Sequence, residues 1–482
     1  MNKISKVLLV QVHYTHNRCV PLSIAYIAAV LEKNNYKVSI YDPPPYEEFN
    51  IKKEIQRLEP GIIGISCMSA TFNKALEIAK EIKKYKDIPV VFGGIHATAL
   101  PKETLSHDEI DYVIVGEGEY TFLDLVNCLN EGNDLNSVKG LCRKKNHKII
   151  INSTRPMLQN LDELPFPARH LFPKWYFMRW MCMRGRWIKG TNMMSSRGCV
   201  YDCSYCASKV MFGRAVRFIS PKRVVDEIEH LVKDYGMKAI TFSDDTFSIN
   251  EGRAIEICKE IKIRGLNNTK FRIQLRANTV SENLLKSLRE AGCVQVDVGV
   301  ESGSQRILNI LNKNITIGQV RNAFALFRKY DINTCATFMI GNPTETIEDI
   351  ELTRKLASEI NADYTQFFIT TPYPGTKLYN DIIKTNNSLD FSSLHHGGTG
   401  LTSHVCSNIQ KEKLISLQQE LNEQFLKKAG IKMLSLPLIL DTISLIAQKP
   451  GLLRDAILNV YKTKRVTEAY RTFYEGHNFR RF

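Results

Sequence analysis

The strongest constraint on this chain is an alternation of two residue patterns that occurs twice. Between residues 6 and 117, short β-branched runs, KVLLVQV (6–12), KVSIYD (37–42), IIGISC (62–67), PVVFGG (89–94) and YVIVGE (112–117), alternate with segments such as PLSIAYIAAVLEKNN and TFNKALEIAKEIKKY. The first kind reads as strands and the second, with apolar positions near 3.6 spacing, as helices. Runs apolar on both faces need cover on both faces, so residues 1–135 are expected to form a doubly wound parallel α/β sheet. From residue 191 the alternation resumes with TNMMSSRG, AITFSDD, FRIQLRAN, VQVDVGVES, TCATFMIG and TQFFITTP, separated by helical segments such as PKRVVDEIEHLVKDYG. About six βα units fall short of the eight of a closed barrel, which predicts a partial (β/α)6 TIM-type barrel over 191–385. Residues 136–190, with LDELPFPARH and WYFMRWMCMRGRW, read as a connector, and 386–482 as a helical C-terminal region.

A length of 482 residues fits about three domains at roughly 150 each. With 44% apolar and 24% charged residues the chain is globular and not disordered. Lys plus Arg number 65 against 50 acidic residues, a net +15 that invites phosphates, RNA or anionic lipid and does not choose among them. The start, MNKISKVLLVQVHYTHN, reads as a strand and not as a signal peptide. Twelve cysteines are too sparse for a disulfide scaffold, and Cys67, Cys258, Cys293 and Cys335 sit singly in apolar runs, so a reducing, cytoplasmic setting is expected.

Ligands of doubly wound sheets bind beyond the strand carboxyl ends. In the first array those ends carry residues 13–17, Asp42, Ser66, Gly93-Gly94 and Gly116-Glu117-Gly118. Glycines there let a backbone approach a bulky ligand, or serve only tight βα turns. No GxGxxG follows the first strand, which argues against a dinucleotide.

In the second array the first strand leads into Arg197-Gly198-Cys199-Val200-Tyr201-Asp202-Cys203-Ser204-Tyr205-Cys206, a CxxxCxxC spacing. Three close thiolates can hold three irons of a [4Fe–4S] cluster and leave the fourth iron open. Structural zinc normally takes four ligands in two pairs, and no nearby CxxC or HxxxH completes such a set. This loop resembles that of the radical S-adenosylmethionine (SAM) superfamily. There the open iron chelates the amino and carboxylate groups of SAM, and one electron from the cluster cleaves SAM to a radical. The resemblance implies Cys199, Cys203 and Cys206 as cluster ligands and Tyr205 beside the SAM adenine. FSDDTF (242–247) resembles the family's segment for the SAM amino group, which makes Asp244 and Asp245 candidates; a helix N-cap role is the plainer alternative. QLRAN (274–278) and GVESGSQRIL (299–308) resemble its third and fourth strand motifs, so Arg276, Glu301 and Ser302 would face the SAM carboxylate or ribose. MIGNPTET (339–346) and TPYPGT (371–376) resemble its fifth and sixth strand elements.

The first array resembles the cobalamin (B12)-binding domain through PLSIAYIAAVLEKNNYKVSIYD, GGIHATALPKET and DYVIVGEGEYTF. The DxHxxG loop of that family, whose histidine ligates cobalt from below, is absent, and QVHYTHN stands in its place. The resemblance therefore implies cobalamin held without a lower histidine, around Ser66, Gly93, Gly94 and Gly116. The whole implies a cobalamin-dependent radical SAM enzyme, most simply a methyltransferase at an unactivated carbon of a small or lipophilic metabolite. Alternatives are an oxidative cyclase or rearranging enzyme, an RNA methylthiotransferase, and a non-catalytic cobalamin or iron–sulfur sensor. Expected partners are the substrate and an electron donor such as flavodoxin or ferredoxin, with nucleic acid disfavoured. MLSLPLILDTISLIA (433–447), too short to span and followed by interleaved basic and aromatic residues, suits a peripheral membrane contact; a helix packed on the barrel is the alternative.

Overall fold

The computed structural model describes residues 3–12, 19–43, 49–146, 148–177, 180–183, 186–384 and 406–433. Its first sheet holds β1 (Lys6–Gln11), β2 (Lys37–Tyr41), β3 (Ile62–Ser66), β4 (Val90–Gly93), β5 (Tyr112–Ile114), β6 (Leu141–Lys145) and β7 (Lys148–Ile151), in the order β2-β1-β3-β4-β5-β6-β7. The first five strands are parallel, and the β6–β7 hairpin adds antiparallel to β5. Alternate residues enter opposite cores. Val7, Leu9, Ile62, Val91 and Ile114 pack with the helices Leu22–Lys33 and Glu119–Glu131, while Leu8, Val10, Ile63, Val90 and Phe92 pack with Ile51–Leu58 and Phe72–Tyr85. This is the doubly wound sheet expected from runs apolar on both faces, and its strand order reverses between β1 and β3.

The second sheet holds β8 (Trp180–Met183), β9 (Arg186–Met193), β12 (Ala239–Phe242), β13 (Lys270–Leu275), β14 (Cys293–Glu301), β15 (Asn333–Ile340) and β16 (Tyr364–Ile369). Its order is β16-β15-β14-β13-β12-β9-β8. Six strands, β9 and β12 to β16, run parallel and make the partial barrel; β8 pairs antiparallel with β9. Residues 136–190 thus contribute β6 and β7 to the first sheet and β8 with the start of β9 to the second. Between β9 and β12, β10 (Ser196–Arg197) and β11 (Arg217–Phe218) form a short antiparallel ladder around the cysteine loop.

A barrel with six strands has an open edge, and unpaired backbone groups on that edge need partners. The C-terminal helix Lys411–Met433 supplies them with side chains. Asn422 accepts from the Phe367 N–H at 2.9 Å, and the Phe367 carbonyl accepts from Gln418 and Asn422, both at 3.0 Å. Leu414, Leu417, Leu421 and Phe425 are buried beneath the helix. Among the described residues no helix is long and apolar enough to cross a membrane. Residues 434–447 lie outside the described residues.

Candidate active site: the cysteine loop and the glycine-lined cavity

The cysteine loop starts at a glycine that the backbone demands. Gly198 has φ +91°, and a Cβ there would stand 2.3 Å from the Ala215 carbonyl oxygen. Cys199, Cys203 and Cys206 are free thiols, Cys203 buried and the other two half-buried. Burial pushes the Cys199 thiol up and that of Cys206 up to about 11, partly countered by backbone N–H donors from Tyr201 and Ser208. Among the described residues no three His, Cys, Asp or Glu side chains close around one point as a single ion would need. A cubane cluster puts each thiolate on its own iron and asks for no such point, so three free thiols on one short loop suit it by chemistry.

Residues 311–314 brace this loop from the barrel side, a contribution absent from the sequence reading. The Ser204 N–H donates to the Leu311 carbonyl at 2.9 Å, and the Asn312 amide donates to the Asp202 carbonyl at 2.7 Å. Arg276 donates from Nη2 to the Lys313 carbonyl, from Nε to Asn278 at 3.3 Å, and from Nη1 to Cys203 Sγ at 3.5 Å. Its guanidinium lies over the Tyr201 ring, 3.6 Å from the centroid. Buried Lys313 donates to Glu301 Oε1 at 2.7 Å and to the Tyr205 hydroxyl at 3.2 Å, and Tyr205 donates to the same Glu301 oxygen at 2.9 Å. Glu301 takes φ +68° at a register shift ending β14, which turns its carboxylate toward Tyr205. The one sequence signal for this brace was Asn312 and Asn314, a residue type that tolerates the left-handed φ of +51° and +53° found here.

The two aspartates after β12 divide their labour. Asp244 is buried and accepts from the Ser195 N–H at 3.1 Å, the Ser195 hydroxyl at 2.8 Å and the Ser196 hydroxyl, so it ties β12 to β10. Asp245 accepts from the Ser208 hydroxyl at 2.6 Å and lies close enough to Cys199 and Cys206 to push both thiols up. Burial raises both carboxyls. Ser302 is held in the turn after β14, with Thr353 at 3.1 Å and the Ser304 N–H at 3.1 Å. The structure thus gathers Tyr205, Asp245, Arg276 and Glu301 around the cysteines, while Asp244 bonds to Ser195 and Ser196 and Ser302 to Thr353 and Ser304.

Ser66, Gly93, Gly94 and Gly116 line one cavity at the carboxyl ends of β3, β4 and β5. Met194, Arg197, Met211 and Phe212 close it from the barrel side. Gly94 has φ +98° and a Cβ would meet the Cys67 carbonyl oxygen at 2.5 Å, whereas at Gly93 and Gly116 a Cβ would meet nothing within 4 Å. Gly116 also needs glycine for its φ of +80°, so it is Gly93 whose missing side chain only keeps open space that no protein atom fills, which fits a bulky cofactor in backbone contact. Arg197 spans the two units, donating to Glu117 at 2.7 Å and Glu119 at 2.6 Å, and Arg217 holds the other Glu117 oxygen at 2.7 Å. These cations hold the Glu117 carboxyl below its usual range although burial opposes them. His13 and His16 lie outside the described residues.

Two family models match, one within the strands of each sheet. The B12 binding domain matches residues 8–126, and the radical SAM superfamily matches residues 193–357. An uncharacterised methyltransferase of Pyrococcus horikoshii is 37% identical over 370 residues, 76% of this chain and 79% of the relative. The chain belongs to the radical SAM enzymes that carry a B12-binding domain. The anaerobic magnesium-protoporphyrin IX monomethyl ester cyclase of Rubrivivax gelatinosus, in the same group of relatives, is 32% identical over 77% of this chain and 68% of its own length. In fold, the radical SAM methyltransferase TsrM of Kitasatospora setae, solved with cobalamin and a [4Fe–4S] cluster, superposes with a TM-score of 0.69 at 21% identity, covering 79% of this chain and 78% of that one. Membership in this radical SAM family implies a [4Fe–4S] cluster and SAM, and the B12-binding domain implies cobalamin.

Proposed function

We propose that the protein is a cobalamin-dependent radical SAM methyltransferase acting at an unactivated carbon of a small or lipophilic substrate. The observation that carries this reading is the shared wall between the two sites. Arg197, two residues before Cys199, and Met211 and Phe212, just after Cys206, line the same cavity as Ser66, Gly93, Gly94 and Gly116. When bound, the cluster with SAM supplies hydrogen-atom abstraction and cobalamin a transferable methyl group. Cys199, Cys203 and Cys206 would hold the cluster. Asp245 offers a carboxylate to an ammonium, and Tyr205, Glu301 and Lys313 form a hydrogen-bonded wall on the other side of the loop. The apolar Met194, Met211 and Phe212 keep water from the space between the two sites.

Anaerobic reaction with methyl-labelled SAM, a flavodoxin or ferredoxin donor and fractionated cell extract tests the reading. Label carried into a small-molecule product, together with 5′-deoxyadenosine, is expected. Deoxyadenosine without label transfer would overturn methyl transfer and favour a cyclase, a second reading supported by the 32% identity to the magnesium-protoporphyrin ester cyclase. Electron paramagnetic resonance of the cob(II)alamin form is expected to show no protein nitrogen coupling to cobalt; coupling would assign His13 or His16 as a lower ligand. A peripheral membrane contact through 433–482 rests on sequence composition alone. It predicts flotation with anionic vesicles at low salt, lost when 433–482 are removed.

A further inference from the structure

We propose that Arg276 tunes the reduction potential of the cluster through Cys203; the inference rests on the assignment of Cys199, Cys203 and Cys206 as cluster ligands. Three contacts fix its guanidinium plane: the Tyr201 ring at 3.6 Å, the Asn278 side chain at 3.3 Å and the Lys313 carbonyl. What they leave aimed at the loop is Nη1, 3.5 Å from Cys203 Sγ. Both partners are buried.

Charge supplies a second, independent observation. Among the described residues no carboxylate lies within ion-pair distance of Arg276; buried Arg143 and Arg253 share this, whereas buried Arg169 and Arg197 are each paired with glutamate. A buried guanidinium without a counter-ion is costly, and a thiolate-ligated cluster provides the missing negative charge. Reduction adds one electron to that cluster and makes it more negative. A fixed cation donating N–H to a ligating sulfur favours the reduced form, so Arg276 raises the potential and eases electron entry from the donor. It acts through the sulfur and is a positioning and tuning residue. Lysine keeps the charge and loses the planar fork that points the donor.

The test is a redox titration of the full-length, anaerobically reconstituted protein without SAM, read by electron paramagnetic resonance of the reduced cluster and by iron content. Arg276→Gln is expected to reduce at least tenfold less at a given potential, a downward shift of about 59 mV for a one-electron couple, with Arg276→Lys between it and the parent. In parallel, parent protein grown with ¹⁵N-arginine is expected to show electron–nuclear coupling between the reduced cluster and a guanidinium nitrogen, a readout independent of how the variants fold. A loaded cluster with unchanged potential in Arg276→Gln, or no arginine coupling in the parent, overturns the inference. Absence of an iron–sulfur cluster from the parent overturns the ligand assignment itself and is distinguished by the iron analysis.

Discussion

Around the cysteine loop side chains interlock: Arg276 on Tyr201 and Cys203, Lys313 on Glu301 and Tyr205, Asp245 on Ser208. At the ends of β3, β4 and β5 the wall instead includes a run of residues with little or no side chain, Ser66, Gly93, Gly94 and Gly116, among apolar neighbours such as Ile24, Ile65 and Phe122. A site that holds an inorganic cluster works through named donor atoms at fixed positions. One that takes a large planar cofactor works through room and backbone, and its specificity lies partly in what is left out. The Arg197 and Arg217 pairs with Glu117 and Glu119 join the two units, and it is the glycine-lined cavity that both units wall.

The most severe break in this contrast is replacement of Cys199, Cys203 and Cys206 together by Ala. Iron content and SAM cleavage are expected to vanish while cobalamin binding, which depends on the other wall, persists. Full cluster content with intact cleavage in that variant would refute the assignment of the loop. Next in size is Arg197→Met. Removing one member of a buried, paired network leaves Glu119 without its cation and is expected to cost about 3–5 kcal/mol. Urea unfolding of the full chain measures it, and a midpoint unchanged from the parent would show that the two units do not depend on this junction.

The glycines separate strain from space. Gly94→Ala meets both a left-handed φ and the Cys67 carbonyl and is expected to destabilise by about 1–3 kcal/mol. Gly93→Ala meets no protein atom and is expected to leave the unfolding midpoint in place while weakening cobalamin binding in a spectroscopic titration. Equal destabilisation by both would remove the distinction. A further effect, read in pH and not in space, belongs to a carboxyl in neither wall. Burial raises Glu345, after β15, to about 7, against the N–H donors of Gly341 and Asn342 that lower it. Its folded state holds the proton more tightly than the unfolded chain, whose value lies near 4.3. Stability is therefore expected to fall as pH rises from about 4.3 to 7 and then to level off. Glu345→Gln is expected to flatten that slope, and an identical pH profile would discount the group.

The strands, their parallel arrangement and the grouping of three thiols on one loop were legible in the residues, because hydrophobic periodicity and Cys spacing are local and survive in a linear reading. The glycines that line the cavity of the first unit were legible for a similar reason: Gly93, Gly94 and Gly116 fall at strand ends. Three things were not legible. Lys313 sits in LNKNITI with no motif around it, and only the turn after the helix Gln305–Ile310 carries it to Tyr205 and Glu301. Asp244 and Asp245 are adjacent and chemically identical in sequence; their opposite orientations give one to Ser195 and the other to the cysteine loop. Gln418 and Asn422 look like the polar face of an ordinary helix until the open edge of a six-stranded barrel presents the Phe367 backbone to them. The sequence by itself determined which elements form and which atoms are able to bind iron, since both depend on residue type at short range. Only the tertiary structure decided which charges meet across the two units and which way each carboxylate faces, because those contacts join residues from 12 to more than 70 positions apart and depend on how the sheets pack.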